Sequence, residues 1–161
     1  RGLGDVYKRQ DVYINTRNRV QFGGALTGSG LALDVDENTR ESFVGYNRGL
    51  NAPTGIEGAS MNMKNNSELW SSRLKLSGSL NFEKDNSKLK LVSWTEDGKP
   101  LVSNVRDLEV AGLNNTLYLY NHQNRDVNSD NPMLIIDNRM TTRNGPLILD
   151  DLDQNLSLIH I

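Results

Sequence analysis

Asp34, Asp36 and Asn38 set three oxygen-bearing side chains at alternate positions, D-x-D-x-N, and Asp151, Asp153 and Asn155 repeat the pattern. Oxygen ligands spaced this way can hold calcium. The first copy departs from a tight calcium loop, with Thr39 where glycine is wanted and Gly45 where a bidentate glutamate would close the shell. Solvated strand ends are the favoured reading, with calcium at Asp34, Asp36 and Asn38 as the alternative. His122 has no partner constellation of Ser/Asp or a second ligand, and reads as an exposed loop histidine. Gly28 and Gly30 lack the Lys-Ser/Thr that a phosphate loop requires. Trp70 and Trp94 could stack on sugars, but at strand positions packing is the stronger reading. Paired carboxylates for glycoside cleavage need a fixed separation across a groove, which spacing along the chain does not supply. Asn65-Asn66-Ser67 and Asn114-Asn115-Thr116 match the glycosylation pattern, which a bacterial origin would make irrelevant. The sequence therefore nominates no catalytic residue and no cofactor.

The two ends carry a different signal. Residues 5–10 can be written GAT GTG TAT AAG AGA CAG, whose reverse complement translates as residues 156–161, LSLIHI. Residues 1–10 and 156–161 are expected to be translated sequencing-adapter DNA and are set aside from fold reasoning. The natural stretch is then residues 11–155. Dropping Arg1, Lys8, Arg9 and Asp5 takes the formal net charge from −2 to −4.

That stretch is long enough for one domain with a real core. It has no apolar run long enough to span a bilayer as a helix. Cysteine is absent, which excludes a disulfide framework and thiolate metal sites. Mild acidity argues against a nucleic-acid partner, which calls for clustered Lys and Arg. Asparagine is heavily used, and asparagine favours turns and tolerates left-handed backbone.

The elements that must position any site are short strands. Leu31, Leu33 and Val35 alternate with Ala32 and Asp34, as on a strand with one wet face. Residues 41–60 carry Phe43, Tyr46 and Leu50 among five glycines and prolines, and read as an irregular surface excursion. Glu96-Asp97-Gly98-Lys99 is a hairpin signal, because Asp-Gly suits a type I′ turn. Alternation over residues 108–152 gives three further apolar runs split by polar turns. The expected core is Leu74, Leu76, Leu80, Phe82, Leu89, Leu91, Leu108, Val110, Leu117, Leu119, Leu134, Ile136, Leu147 and Leu149. Tyr118 and Tyr120 fall on the opposite, outer face. The class is all-β, either a parallel solenoid with three short strands per turn or an antiparallel sandwich.

The succession Asn66-Ser67-Glu68-Leu69-Trp70, Leu74-Lys75-Leu76, Leu80-Asn81-Phe82, Leu108-Glu109-Val110, Leu113 and Thr116-Leu117-Tyr118-Leu119 resembles pertactin-like autotransporter passenger domains. Ser129-Asp130, Leu134-Ile135-Ile136 and Gly145-Pro146-Leu147-Ile148-Leu149 continue it. Asn114–Asn115 stands where the family usually has a glycine pair. The resemblance implies a right-handed parallel β-helix whose C-terminal part, residues 65–155, seeds folding, after rungs and an irregular loop over residues 11–64. It implies a hairpin-like cap near the C-terminal end, for which the Asp-Gly hairpin is the candidate. It further implies a bacterial cell-surface location, a C-terminal outer-membrane β-barrel of the same chain as partner, an unidentified surface ligand, and no enzymatic activity. A polysaccharide-degrading β-helix and a stand-alone sandwich binding module are the rival readings. Antiparallel pairing of residues 74–82 with 89–95 would identify the sandwich.

Overall fold

The structure is a computed structural model that describes residues 10–16, 18, 20–40, 42–45, 55–93, 95–96, 99–100, 102–121, 132–151 and 159–160. The alternating runs become strands of two sheets, and the chain passes from one sheet to the other and back. The first sheet holds Gln10–Ile14, Leu26–Thr27 with Leu31–Val35, Gly55–Gly58 with Ser60–Met63, Arg73–Phe82, Ser103–Val110, Leu134–Thr142 and the two-residue Ile159–His160. The second sheet holds Gln21–Phe22, Ser42–Val44, Glu68–Ser71, Lys88–Ser93, Asn115–Asn121 and Leu147–Asp151. Every pairing within these two sheets is parallel. Parallel neighbours joined by a return through the opposite sheet are consistent with a β-helix or solenoid. The sandwich alternative fails here, since Arg73–Phe82 and Lys88–Ser93 belong to different sheets.

Register turns the alternation into columns. Leu33, Met61, Leu80, Leu108 and Met140 lie over one another in the first sheet. Leu69, Leu89, Leu117 and Leu149 do so in the second. Apart from Leu149 at the end of the second column, these residues belong to or pack against a single apolar cluster between the sheets. Full burial of each leucine or methionine contributes about 1.5–3 kcal/mol, so the stack gains stability coil by coil.

The long first-sheet strands Arg73–Phe82, Ser103–Val110 and Leu134–Thr142 are bent. The pairing slips by one residue between Gly58↔Leu76 and Met61↔Leu80. A bulge between Val105 and Asp107 carries the slip into the next coils. An extra residue bends a strand, so a coil contributes two segments to the first sheet and one to the second. Gly78 sits at this bend, where an added Cβ would lie 2.7 Å from the Ala59 carbonyl oxygen.

The corner that leads into the second sheet is built from asparagine. Asn38, Asn66, Asn86 and Asn114 occupy it in successive coils with φ of 65, 57, 62 and 59°. Asparagine is the residue other than glycine that most readily adopts this left-handed backbone. Asn114 thus fills the conformational role of a glycine. Its neighbour Asn115 has a different role. It is fully buried, and its side-chain amide donates to the Lys84 carbonyl (2.7 Å) and accepts from the Ser87 N–H (2.9 Å).

Three expectations are corrected. Leu149 is 46 % exposed and Leu147 only partly buried, although register puts Leu149 in the leucine column. Leu147–Asp151 is the edge strand of the second sheet among the described residues, so its side chains are covered from one side only. The hairpin forms, as antiparallel Thr95–Glu96 and Lys99–Pro100, but two more coils stack after it, so it is an insertion between coils and no terminal cap. The turn residues Asp97 and Gly98 lie outside the described residues. Residues 41–60 are not all loop: Ser42–Val44 and Gly55–Gly58 are strands. The glycines misled because Gly55 serves packing; a Cβ there would sit 2.4 Å from the Arg73 carbonyl oxygen. Tyr46 and Leu50 lie outside the described residues.

Candidate functional site

Asp34, Asp36 and Asn38 go to three different environments. Asp34 points outward from Leu31–Val35 yet is only 7 % exposed. Its Oδ1 accepts from the Asn62 amide at 2.6 Å, and Asn62 Oδ1 in turn accepts from Asn81 at 2.8 Å. The aspartate is the acceptor end of an amide ladder running across three coils. Asn38 Oδ1 accepts from the Asn66 amide at 3.0 Å. Asp36 lines a depression of about 590 Å³ beside Asn15, Glu37, Lys64, Glu83 and Lys84. The cation here is an ammonium. Lys64 Nζ lies 2.7 Å from Glu83 Oε2. That hydrogen bond above all, then the charges of Glu83, Asp34 and Asp36, holds the Lys64 pKa above its usual value despite partial burial. No group of three or more acidic or histidine side chains is placed to hold a metal ion among the described residues. Asp153, Asn155, Trp94 and His122 lie outside those residues, and so does residue 130 with the rest of the 122–131 loop. Asp151 is described in backbone only, as the last residue of Leu147–Asp151.

The outer face of the second sheet carries a second cross-coil file. Register stacks Phe43, Trp70, Lys90, Tyr118 and Asp150. The Phe43 and Trp70 rings tilt at 38° with centroids 5.4 Å apart. Lys90 Nζ stands 4.5 Å from the Trp70 ring and 5.4 Å from the Tyr118 ring, while bonding Glu68 at 3.1 Å. Cation–π contact and ion pair together satisfy the ammonium. Tyr120 packs with Trp70 against Phe43 and Val92 in a satellite cluster. The file is internally paired, and Trp70 acts here as a packing residue.

A third surface differs from both. A trough of about 720 Å³ follows the outside of the first-sheet bend. One wall is the outward column Thr27, Glu57, Lys75 and Asn104, one residue from each of four coils. Ser29 and Ser77 line the trough beyond the bend, with Gly28, Gly58 and Leu76 completing the lining. Glu57 and Lys75 are cross-coil neighbours and both exposed, and no ion pair joins them. Gly28, weighed in the sequence as part of a phosphate loop, instead donates its N–H to the Glu57 carbonyl at 3.0 Å. No helix follows it.

Sequence reasoning located Asp34 but missed Lys64, Glu57, Lys75 and Asn104. Nothing short-range joins Glu57 to Lys75; only the coil length, set by the full register, brings them together. The asparagines of the ladder, Asn62 and Asn81, stand between alternating apolar residues, which puts them on strands but does not say that they meet. Compared with known proteins, the chain matches no family model, no curated protein and no solved structure.

Proposed function

We propose that this chain is a structural stretch of a secreted, cell-surface passenger of the autotransporter kind. Its fold would be a right-handed parallel β-helix, and its C-terminal part would assist folding on the far side of the outer membrane. The role is mechanical and interfacial and involves no catalysis. The observation that carries the reading is placement. The runs Leu74-Lys75-Leu76, Leu80-Asn81-Phe82, Leu108-Glu109-Val110 and Leu117-Tyr118-Leu119 fall on stacked parallel strands, with every leucine, valine and phenylalanine of these runs buried. A stack in which each coil templates the next suits vectorial folding as a chain emerges from a membrane. The absence of cysteine suits export of an unfolded chain. The partners in this reading are a β-barrel of the same chain and an unidentified surface ligand, with no nucleic acid.

The test places the chain between a secretion signal and an autotransporter barrel in a Gram-negative host. The expected outcome is display on the cell surface as a folded core that resists added protease. Retention in the periplasm, or display in a fully protease-sensitive form, would sink the reading.

A further inference from the structure

We infer that the trough on the outside of the first-sheet bend is a binding site for an extended, acidic oligosaccharide. The inference goes beyond the proposed secretion role and does not rest on it. Thr27, Glu57, Lys75 and Asn104 come from four stacked coils. At the spacing of parallel strands they form a file about 14 Å long. Ser29 and Ser77 supply hydroxyls along the other side.

The chemistry of the lining selects the ligand. Hydroxyl, carboxylate and amide groups are what sugar hydroxyls pair with. The Lys75 ammonium, exposed and in no ion pair among the described residues, is a partner for a carboxylate. Asn104 donates its amide to the Ile135 carbonyl at 3.3 Å, which fixes the side chain in place. A peptide suits the trough less well. Strand addition needs a free sheet edge of useful length; Gly55–Gly58, Arg73–Phe82 and Ser103–Val110 are paired on both sides, and the edge left open along the trough among the described residues is the two-residue Leu26–Thr27. The one large apolar side chain of the lining, Leu76, is buried, so a peptide side chain finds no apolar pocket. The trough also lacks an aromatic platform, so binding rests on hydrogen bonds and one charge pair.

The experiment is a titration of the ¹⁵N-labelled chain with tetragalacturonate, followed by amide chemical shifts. Maltotetraose serves as the uncharged sugar and a polar octapeptide as the rival class. Shifts are expected at residues 27–29, 57–58, 75–77 and 104 with tetragalacturonate, and weaker binding of maltotetraose. Lys75→Glu should weaken tetragalacturonate binding about tenfold, the loss of one charge-assisted contact, with the thermal midpoint unchanged. Ser77→Tyr, which fills the trough, should abolish the shifts for both sugars. The inference is overturned by an absence of trough shifts with either sugar, by shifts with the octapeptide alone, or by a Lys75→Glu variant that binds tetragalacturonate as well as the parent does.

Discussion

Two of the places where the chain changes direction, the corner into the second sheet and the bend of the first, differ in how they use their polar side chains. At the corner into the second sheet, side chains bond from coil to coil. Asn66 donates to Asn38, Asn65 to Glu37 at 3.2 Å, and the Asp85 carboxylate accepts the Leu113 N–H at 2.7 Å. The Ser67 and Ser87 hydroxyls lie 3.1 Å apart inside the same corner. At the bend of the first sheet the side chains are small or face outward, and Glu57 and Lys75 make no ion pair with each other. The corner spends its polar groups on holding the register of the stack. The bend also bonds across coils, through Asn104 to the Ile135 carbonyl and Asn138 to Asp107 at 2.8 Å, but it leaves Glu57 and Lys75 available to solvent or to a ligand. In a repeating fold, internally satisfied polar files specify structure and unsatisfied ones are where recognition can reside.

The interior sets the scale. Leu117→Asp puts a carboxylate into the leucine column with no partner, a cost beyond about 4 kcal/mol that would leave the chain unfolded. Tyr118→Ser, one residue away on the outer file, should leave a cooperative transition in circular dichroism. If Tyr118→Ser proved the more damaging of the two, the inner and outer faces would be wrongly assigned.

Asn115→Ala tests the corner. It strands the buried Ser87 N–H and removes a donor from the part-buried Lys84 carbonyl, and should cost about 1–3 kcal/mol in denaturant unfolding. A loss below about half a kcal/mol would mean that the corner does not hold the register. Asn114→Ala forces an ordinary side chain into the left-handed region and should cost about 1–2 kcal/mol. Asn114→Gly should be near neutral, and an equal loss for both would show that φ is not the reason for asparagine.

The smallest effect belongs to Lys64. Its pKa is raised in the folded state, chiefly by the hydrogen bond to Glu83. A raised lysine pKa contributes stability that is complete below the unfolded-state value and is lost as pH rises through the folded-state value. The parent should therefore lose thermal stability on the alkaline side, and Lys64→Met should lose less over the same range. Parallel alkaline profiles for the two proteins would remove Lys64 from the account.

Much of the strand inventory was legible in the sequence, because alternation with a period of two reports which residues share a face. Leu74, Leu76, Leu80 and Phe82 read as one buried face and are one. Asparagine at the turns was legible too, since few residues tolerate left-handed backbone. The hairpin was legible from Asp97-Gly98, but its place between coils was not, because a local turn signal carries no information about what stacks after it. Leu149 failed for a related reason. Alternation gives the direction of a side chain, and burial needs a neighbour on both sides.

The sequence by itself determined local matters: strand direction of side chains, turn conformation, the absence of disulfides and the all-β class. Each of these follows from composition or from residues within a few positions of one another. Only the tertiary structure decided the parallel pairing, the coil length and therefore every cross-coil file. Asp34 and Asn62, Asn62 and Asn81, Lys64 and Glu83, and Glu57 and Lys75 are each one coil of chain apart. Coil length varies with each loop, so no fixed sequence period announces these pairs. The register that aligns them is set by the buried columns, through the summed burial of leucine, methionine and valine, and the outer files follow from it.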